Sequence, residues 1–305
     1  MLHVVYRSYG GENAKGRPAY YSKALSLASL LRAVEPLGTD AEIVFLNDGP
    51  IPDDLVHIME RHGQIDARAQ MGMKGSLRAA LALPKERGWP DEDLVWFCED
   101  DYLYQPHALT GLRAAAMAFP DAGYFALYAL IGSRLPNGAA SDDKHIPPGC
   151  TKLPSGWHDT EPTPVLGHPW RRALSTTSTF GARIGVLEQD RLLMYATMWS
   201  GGAWDYTTCL LYQGFQPYSL SESLHWLQTN PREKGLVQTA TVAAVRIALS
   251  GYQAARRMAG QRGHLFVAPD PALVTHLEAA YLAQGTDWEA VAADTKRWAT
   301  EHGVL

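Results

Sequence analysis

Residues 94–104 read LVWFCEDDYLY: an apolar run, Leu94 to Cys98, that ends in three adjacent carboxylates, Glu99, Asp100 and Asp101. A short apolar stretch rich in aromatic and branched residues predicts a strand buried on both faces. Three neighbouring carboxylates repel one another and resist burial, so they require a cation or open solvent. In an open α/β sheet, ligands bind at the carboxyl ends of the strands. A divalent cation holding a phosphorylated ligand would satisfy both conditions.

The surrounding chain alternates strand and helix patterns. Residues 2–7, 41–50, 94–101 and 123–132 read as buried strands. Residues 53–63, 75–88 and 107–120 read as helices, and a further helix is predicted from Pro18 to Val34. Such alternation predicts an α/β fold with a mostly parallel sheet flanked by helices. Residues 133–172 break the pattern with many Pro and Gly residues, as a binding loop or lid would. Strand-like residues resume at 175–187, and 187–199 and 204–213 look helical. From 231 to 305 the chain turns Ala-rich and is expected to form a helical C-terminal appendage to a domain spanning 1–230.

Composition narrows the function classes. A net charge of −5 gives no electrostatic case for a nucleic-acid partner. Cys98, Cys150 and Cys209 are few and widely spaced, which argues against a disulfide frame or zinc cluster and for a reducing compartment. The N-terminal sequence runs directly into a strand and no stretch reaches membrane-span length, so a cytoplasmic protein is expected. Arg246, Arg256, Arg257 and Arg262 lie among apolar residues near the C-terminus. A basic amphipathic helix there would either pack on its own domain or touch an anionic membrane. Oligomeric state is not indicated.

Three successive strand ends carry polar groups: Arg7 and Ser8, then Asn47 and Asp48, then the carboxylate triplet. This is what a nucleotide crevice needs. Asp48 could accept hydrogen bonds from a base or ribose, or merely shape an Asn-Asp-Gly turn. Arg7 could stack on a base or pair with phosphate. Mg²⁺ or Mn²⁺ binds through one or two carboxylates and completes its shell with water and phosphate oxygens.

The order of these features over residues 1–226 resembles the GT-A, Rossmann-like glycosyltransferases, with Glu99-Asp100-Asp101 in the place of their DXD motif. The resemblance implies a divalent metal bound by Asp101, and Glu99 and Asp100 beside a nucleotide-diphosphate sugar donor. It places MGMKGSLRAAL (71–81) at a Gly-rich stretch where Lys74, Ser76 or Arg78 could touch the nucleotide. A solvated helix start is the alternative there. It also implies Asp205, in GGAWDYTTCLL, as the base that deprotonates an acceptor hydroxyl in an inverting transfer. Asp205 as the N-cap of a helix starting at Tyr206 is the competing expectation. His225 would complete the metal site, with an interfacial core residue beside Trp226 as the alternative; His168 reads as structural or part of the loop, and Arg171 and Arg172 could meet a diphosphate or an anionic acceptor or form a solvated basic pair. The acceptor would be a small molecule, glycan or lipid-linked sugar. Two other functions fit the same fold. A sugar-1-phosphate nucleotidyltransferase would use GGENAKGRP as its Gly-rich loop, though Tyr6 to Tyr9 intervene and Ala19 follows Pro18. A non-catalytic nucleotide- or glycan-binding protein is the other.

Overall fold

The computed structural model describes residues 1–12, 15–131, 153–229 and 235–305. Cys150 and the first half of the 133–172 segment lie outside them. The chain begins β1 (Leu2–Ser8), α1 (Lys23–Val34), β2 (Ala41–Asp48), α2 (Asp53–His62), β3 (Gln64–Arg68) and α3 (Gly72–Arg87). It continues β4 (Leu94–Glu99), β5 (Tyr102–Tyr104), α4 (Ala108–Ala118), β6 (Ala122–Phe125) and β7 (Leu130–Ile131). After the undescribed stretch come β8 (Thr163–Val165), β9 (His168–Ser175), β10 (Phe180–Arg183), α5 (Ile184–Thr197), α6 (Trp204–Tyr212) and α7 (Leu220–Thr229). The last elements are α8 (Leu236–Met258), β11 (Leu265–Pro269), β12 (Val274–His276) and α9 (Trp288–Glu301).

One sheet runs in the order β3-β2-β1-β4-β10-β6-β11-β9-β7, with β8 paired to β9. Only β9 and β10 oppose the direction of the rest, so the sheet is mostly parallel, as expected. Side chains alternate between two cores. Leu2, Val4 and Tyr6 of β1 and Trp96 and Cys98 of β4 face a core shared with α1, α2 and α4. Val5, Val95 and Phe97 face the other, closed by α3, α5 and α6. Helices on both faces are the reason these strands read as continuous apolar runs.

Several boundaries differ from expectation. Helix α1 starts at Lys23, where the Ser22 hydroxyl accepts the Leu25 N–H at 3.0 Å; Pro18 lies in the preceding loop. Residues 123–132 form two short strands, β6 and β7, instead of one. β3 is half-exposed at the sheet edge, and its polar sequence gave no buried-strand signal.

The C-terminal segment is the larger correction. Its helices are present as α8 and α9, but between them the chain returns to the sheet. β11 lies inside it, parallel to β6 and antiparallel to β9. Phe266, Val267 and Ala268 are fully buried there. β12 pairs with β5 in a separate two-stranded ribbon, and α9 packs on α1. Residues 235–305 are therefore part of the domain that holds the site. The arginines of α8 serve packing: Arg246 is buried over Tyr218 and Trp226 and donates to the Ser200 carbonyl at 2.8 Å, while Arg256 pairs with buried Asp190. Among the described residues no helix is long and apolar enough to cross a membrane.

Candidate functional site

β1 is followed in sequence by β2 on one side of it in the sheet, and β4 lies on the other. The strand order reverses there, and the cleft beyond the carboxyl ends at such a switch point is where α/β sheets bind ligands. A crevice of about 640 Å³ occupies this position. Its walls include Arg7 and Ser8 of β1, Asp48 of β2, Glu99 of β4 and, in the turn to β5, Asp100 and Asp101. The structure thus brings the expected strand-end residues together.

Each member of the triplet has a protein cation. Arg7 Nη2 donates to Glu99 Oε1 at 2.6 Å. Lys23 Nζ donates to Asp100 Oδ2 at 2.8 Å, and the same oxygen accepts the Tyr9 N–H. Asp101 Oδ2 meets Arg17 Nη2 at 3.1 Å, Lys15 Nζ at 3.5 Å and His276 Nε2 at 3.0 Å. The consequences differ. Burial pushes the Glu99 and Asp100 carboxyls up, with Arg7 and Lys23 only partly opposing it. Burial acts on Asp101 too, but His276, Lys15 and Arg17 outweigh it and hold that carboxyl well below the usual range. Asp101 is the triplet's firmly ionised member.

His276 reaches Asp101 because of strand register. β12 pairs antiparallel to β5 with His276 opposite Tyr102, the residue after Asp101. The imidazole stacks on the Tyr102 ring at 5.0 Å, and the Leu277 N–H donates to the Asp101 carbonyl. The histidine expected in this role, His225, instead lies exposed on α7, which packs against α8; the structure does not seat it at Asp101. Lys15, Arg17, Lys23 and His276 were all missed. The loop cations carried a signal, a basic Gly-rich stretch straight after β1, whereas His276 carried none.

Asp48 lines the crevice, and its Oδ1 accepts the Met71 N–H at 2.6 Å, tying β2 to the start of α3. On α3 itself Gly72, Met73 and Ser76 face the crevice. Lys74 and Arg78, four residues apart and so on another face, lie instead over the rings of Trp199 and Tyr195 at 4.2 and 5.1 Å. Neither is among the residues that line the crevice. Arg7 retains unfilled capacity: its Nε and Nη1 are buried with no hydrogen-bond partner among the described residues, which suits a ligand acceptor atom. His168 contacts His107, ring on ring, at 5.0 Å, and Arg172 packs over Trp157 and Phe215; both are structural.

Behind the Asp101–His276 pair lies a second cavity of about 250 Å³. His276, Asp205, Thr177, Asp270 and Glu278 line it. Asp205 is delivered by Gly201 and Gly202, both at positive φ (69° and 62°), a conformation other residues adopt only under strain. Helix α6 begins at Trp204 with Ala203 as N-cap, so Asp205 sits in the first turn and is not the cap. Burial raises its carboxyl above the ordinary range, opposed in part by the Tyr206 N–H. No cation among the described residues pairs with it. A half-buried, uncompensated carboxylate facing a cavity is suited to taking a proton. Cys98 and Cys209 are buried free thiols.

Among the described residues no group of three or more His, Cys, Asp or Glu side chains converges as a ready metal site. Asp101 Oδ2 and His276 Nε2 are hydrogen-bonded at 3.0 Å, and the same oxygen meets Arg17 and Lys15; a carboxylate and an imidazole are donor types that a divalent cation accepts.

No protein-family model matches the chain, and no curated protein matches it. Among solved structures it is similar to the crystal structure of S. aureus TarS, with 14% identity and a TM-score of 0.38 over 69% of this chain and 33% of that one. It thus spans about a third of that structure's length. The crystal structure of S. aureus TarS 1-349 is similar over 85% of this chain and 92% of that one, at 12% identity and a TM-score of 0.38.

Proposed function

We propose that the chain is a glycosyltransferase that moves a sugar from a nucleotide-diphosphate donor to an acceptor hydroxyl. The observation that carries this reading is a shared wall: Asp101 lines the strand-end crevice, His276 lines the Asp205 cavity, and the two side chains touch. A donor in the crevice and an acceptor in the cavity would meet at that wall.

The crevice would take the nucleoside between Asp48, Tyr9 and Arg7, and the diphosphate against Lys15 and Arg17. These cations would turn from Asp101 to the phosphates, where negative charge grows as the sugar leaves. Asp101 and His276 would hold a divalent metal, Mn²⁺ or Mg²⁺, which supplies Lewis-acid stabilisation of the diphosphate when bound. Asp205 would accept the acceptor's hydroxyl proton, giving direct displacement with inversion. The test is a thermal-shift screen of UDP-, GDP- and TDP-sugars with and without Mn²⁺, followed by product analysis. Stabilisation by a nucleotide sugar with transfer supports the reading, since a bound ligand raises apparent stability by mass action. Absence of any nucleotide-sugar effect sinks it.

The positions of Lys15 and Arg17 favour a second reading. Both meet Asp101, where they could face the triphosphate substrate of a sugar-1-phosphate nucleotidyltransferase. That reaction has no use for Asp205. Release of pyrophosphate from a nucleoside triphosphate and a sugar 1-phosphate would decide for it.

A further inference from the structure

Lys15 lines the crevice and also reaches the Asp101–His276 wall. Its Nζ lies 3.5 Å from Asp101 Oδ2, 3.6 Å from Glu278 Oε2 and 3.2 Å from His276 Nε2. One ammonium therefore faces two carboxylates and an imidazole, brought together by the turn between β4 and β5 and by the end of β12. These are donor types that a divalent ion such as Mn²⁺ accepts. An ammonium holds its partners at about 3 Å, whereas Mg²⁺ holds its ligands at about 2.1 Å. The three side chains are spaced for the ammonium and form no ready ion site as they stand.

The neighbouring cations are tied down. Arg17 Nη1 donates to the Leu277 carbonyl at 2.8 Å, and its guanidinium lies over the Tyr21 ring at 4.4 Å, so it can pivot but not leave. Lys23 Nζ donates to Asp100 and to the Gly11 carbonyl at 2.7 Å. Among the described residues Lys15 Nζ meets only the three groups named, and its side chain is 34% exposed. The backbone beside it is held, since the Gly16 carbonyl accepts the Ala279 N–H at 2.8 Å. The head group can swing into the crevice while its stem stays anchored.

We infer that Lys15 is a tethered counter-ion that keeps the place of a divalent metal until a donor's diphosphate draws it away, and that Glu278 joins Asp101 and His276 as a ligand of the incoming ion. The inference deepens the glycosyltransferase reading and rests on it. A metal arriving alone must displace the ammonium and leave two cations side by side. A diphosphate arriving with the metal takes up the ammonium, and the ion enters the vacated place. Metal and nucleoside diphosphate then bind with positive coupling, and each strengthens the other by the same factor. Lys15 is in this sense a positioning residue: it sets when the metal enters.

The test follows free Mn²⁺ by electron paramagnetic resonance in the presence of the full chain, alone and with UDP, GDP or TDP. Lys15→Met keeps the length of the stem and removes the charge. The expected result is that the parent binds Mn²⁺ at least about tenfold more tightly with a nucleoside diphosphate than without, about 1.4 kcal/mol of coupling. Lys15→Met should bind Mn²⁺ alone at least about tenfold more tightly than the parent, with little further gain from the nucleotide. That gain should persist in about 0.5 M KCl, where charges more than a few ångströms apart in solvent are screened. Glu278→Gln added to Lys15→Met should reverse most of it. Mn²⁺ binding to Lys15→Met no tighter than to the parent, or a gain that salt abolishes, overturns the inference and leaves the donor assignment standing where a nucleotide still binds. A gain that Glu278→Gln leaves intact overturns the place given to Glu278. A parent that binds neither Mn²⁺ nor any of the three nucleotides strikes the glycosyltransferase reading itself, and the inference with it.

Discussion

Asp101 and His276 lie 175 residues apart in sequence, yet the Asp101 Oδ2 and His276 Nε2 atoms are 3.0 Å apart. The contact is set by the β5–β12 register and by the ring of Tyr102 beneath the imidazole. If this pair holds the metal, His276→Ala should remove the Mn²⁺-dependent part of the thermal shift produced by a nucleotide sugar. His225→Ala should leave that part unchanged. The reverse pattern would return the metal to α7.

Asp101→Asn removes the anion shared by Lys15, Arg17 and His276. Breaking a buried ion pair costs about 3–5 kcal/mol. Lys15 keeps a third of its side chain in solvent, so screening reduces the expected loss to about 1–3 kcal/mol. Urea unfolding measures it as a lowered midpoint at unchanged slope. A variant as stable as the parent would mean that the cations relax into solvent without cost.

Asp205 separates activity from stability through pH. As a base it must be ionised, and burial raises its carboxyl, so the acid limb of kcat/KM should lie above the ordinary aspartate value of about 3.9. Stability runs the other way. The folded state binds this proton more tightly than the unfolded chain, so the group's contribution falls as pH rises from the unfolded value through the raised folded one. Asp205→Asn should lose transfer yet keep donor binding, with a Tm at pH 7 no lower than the parent's. A marked fall in Tm would show that the carboxylate is structurally required.

Phe266 tests whether the C-terminal segment is integral. It is fully buried in β11, edge-on to the ring of Tyr212 at 5.6 Å. Phe266→Ala should cost about 3–5 kcal/mol, seen in calorimetry as one cooperative transition moved to lower temperature. A local effect that leaves the main transition in place would restore a separable appendage.

Lys74→Ala and Arg78→Ala should change nucleotide-sugar affinity little, since the cations rest on the rings of Trp199, in the turn after α5, and Tyr195, on α5. Each should lower stability by about 0.5–1 kcal/mol, the usual worth of an exposed cation–π contact. A tenfold loss of donor affinity in either would place it in the crevice after all.

The parallel half of the sheet was legible because a strand covered on both faces must be apolar throughout, and Leu2–Tyr6, Ile43–Leu46 and Val95–Cys98 announce themselves. The crevice followed, since polar residues that end such strands fall on one rim. What stayed hidden depends on pairing between distant segments. LFVAP is too short to reveal that it inserts between β6 and β9, and His276 sits in a three-residue strand whose partner is fixed only by the completed fold. His225 had the right residue type in a plausible neighbourhood. Lys74 and Arg78 had the right charge, but the helix rotates them away.

The ribbon of β5 and β12 also has a consequence in time. The crevice-forming strands are synthesised within the first hundred residues, while β11 and His276 come within the last forty-one. A nascent chain can thus assemble the strand-end rim of the crevice early, but the Asp101–His276 contact forms only near the end of translation. A product cut short before β12 would carry the triplet without its histidine. Premature release would then yield a chain that keeps the crevice-lining strands but lacks the C-terminal residues that wall the second cavity.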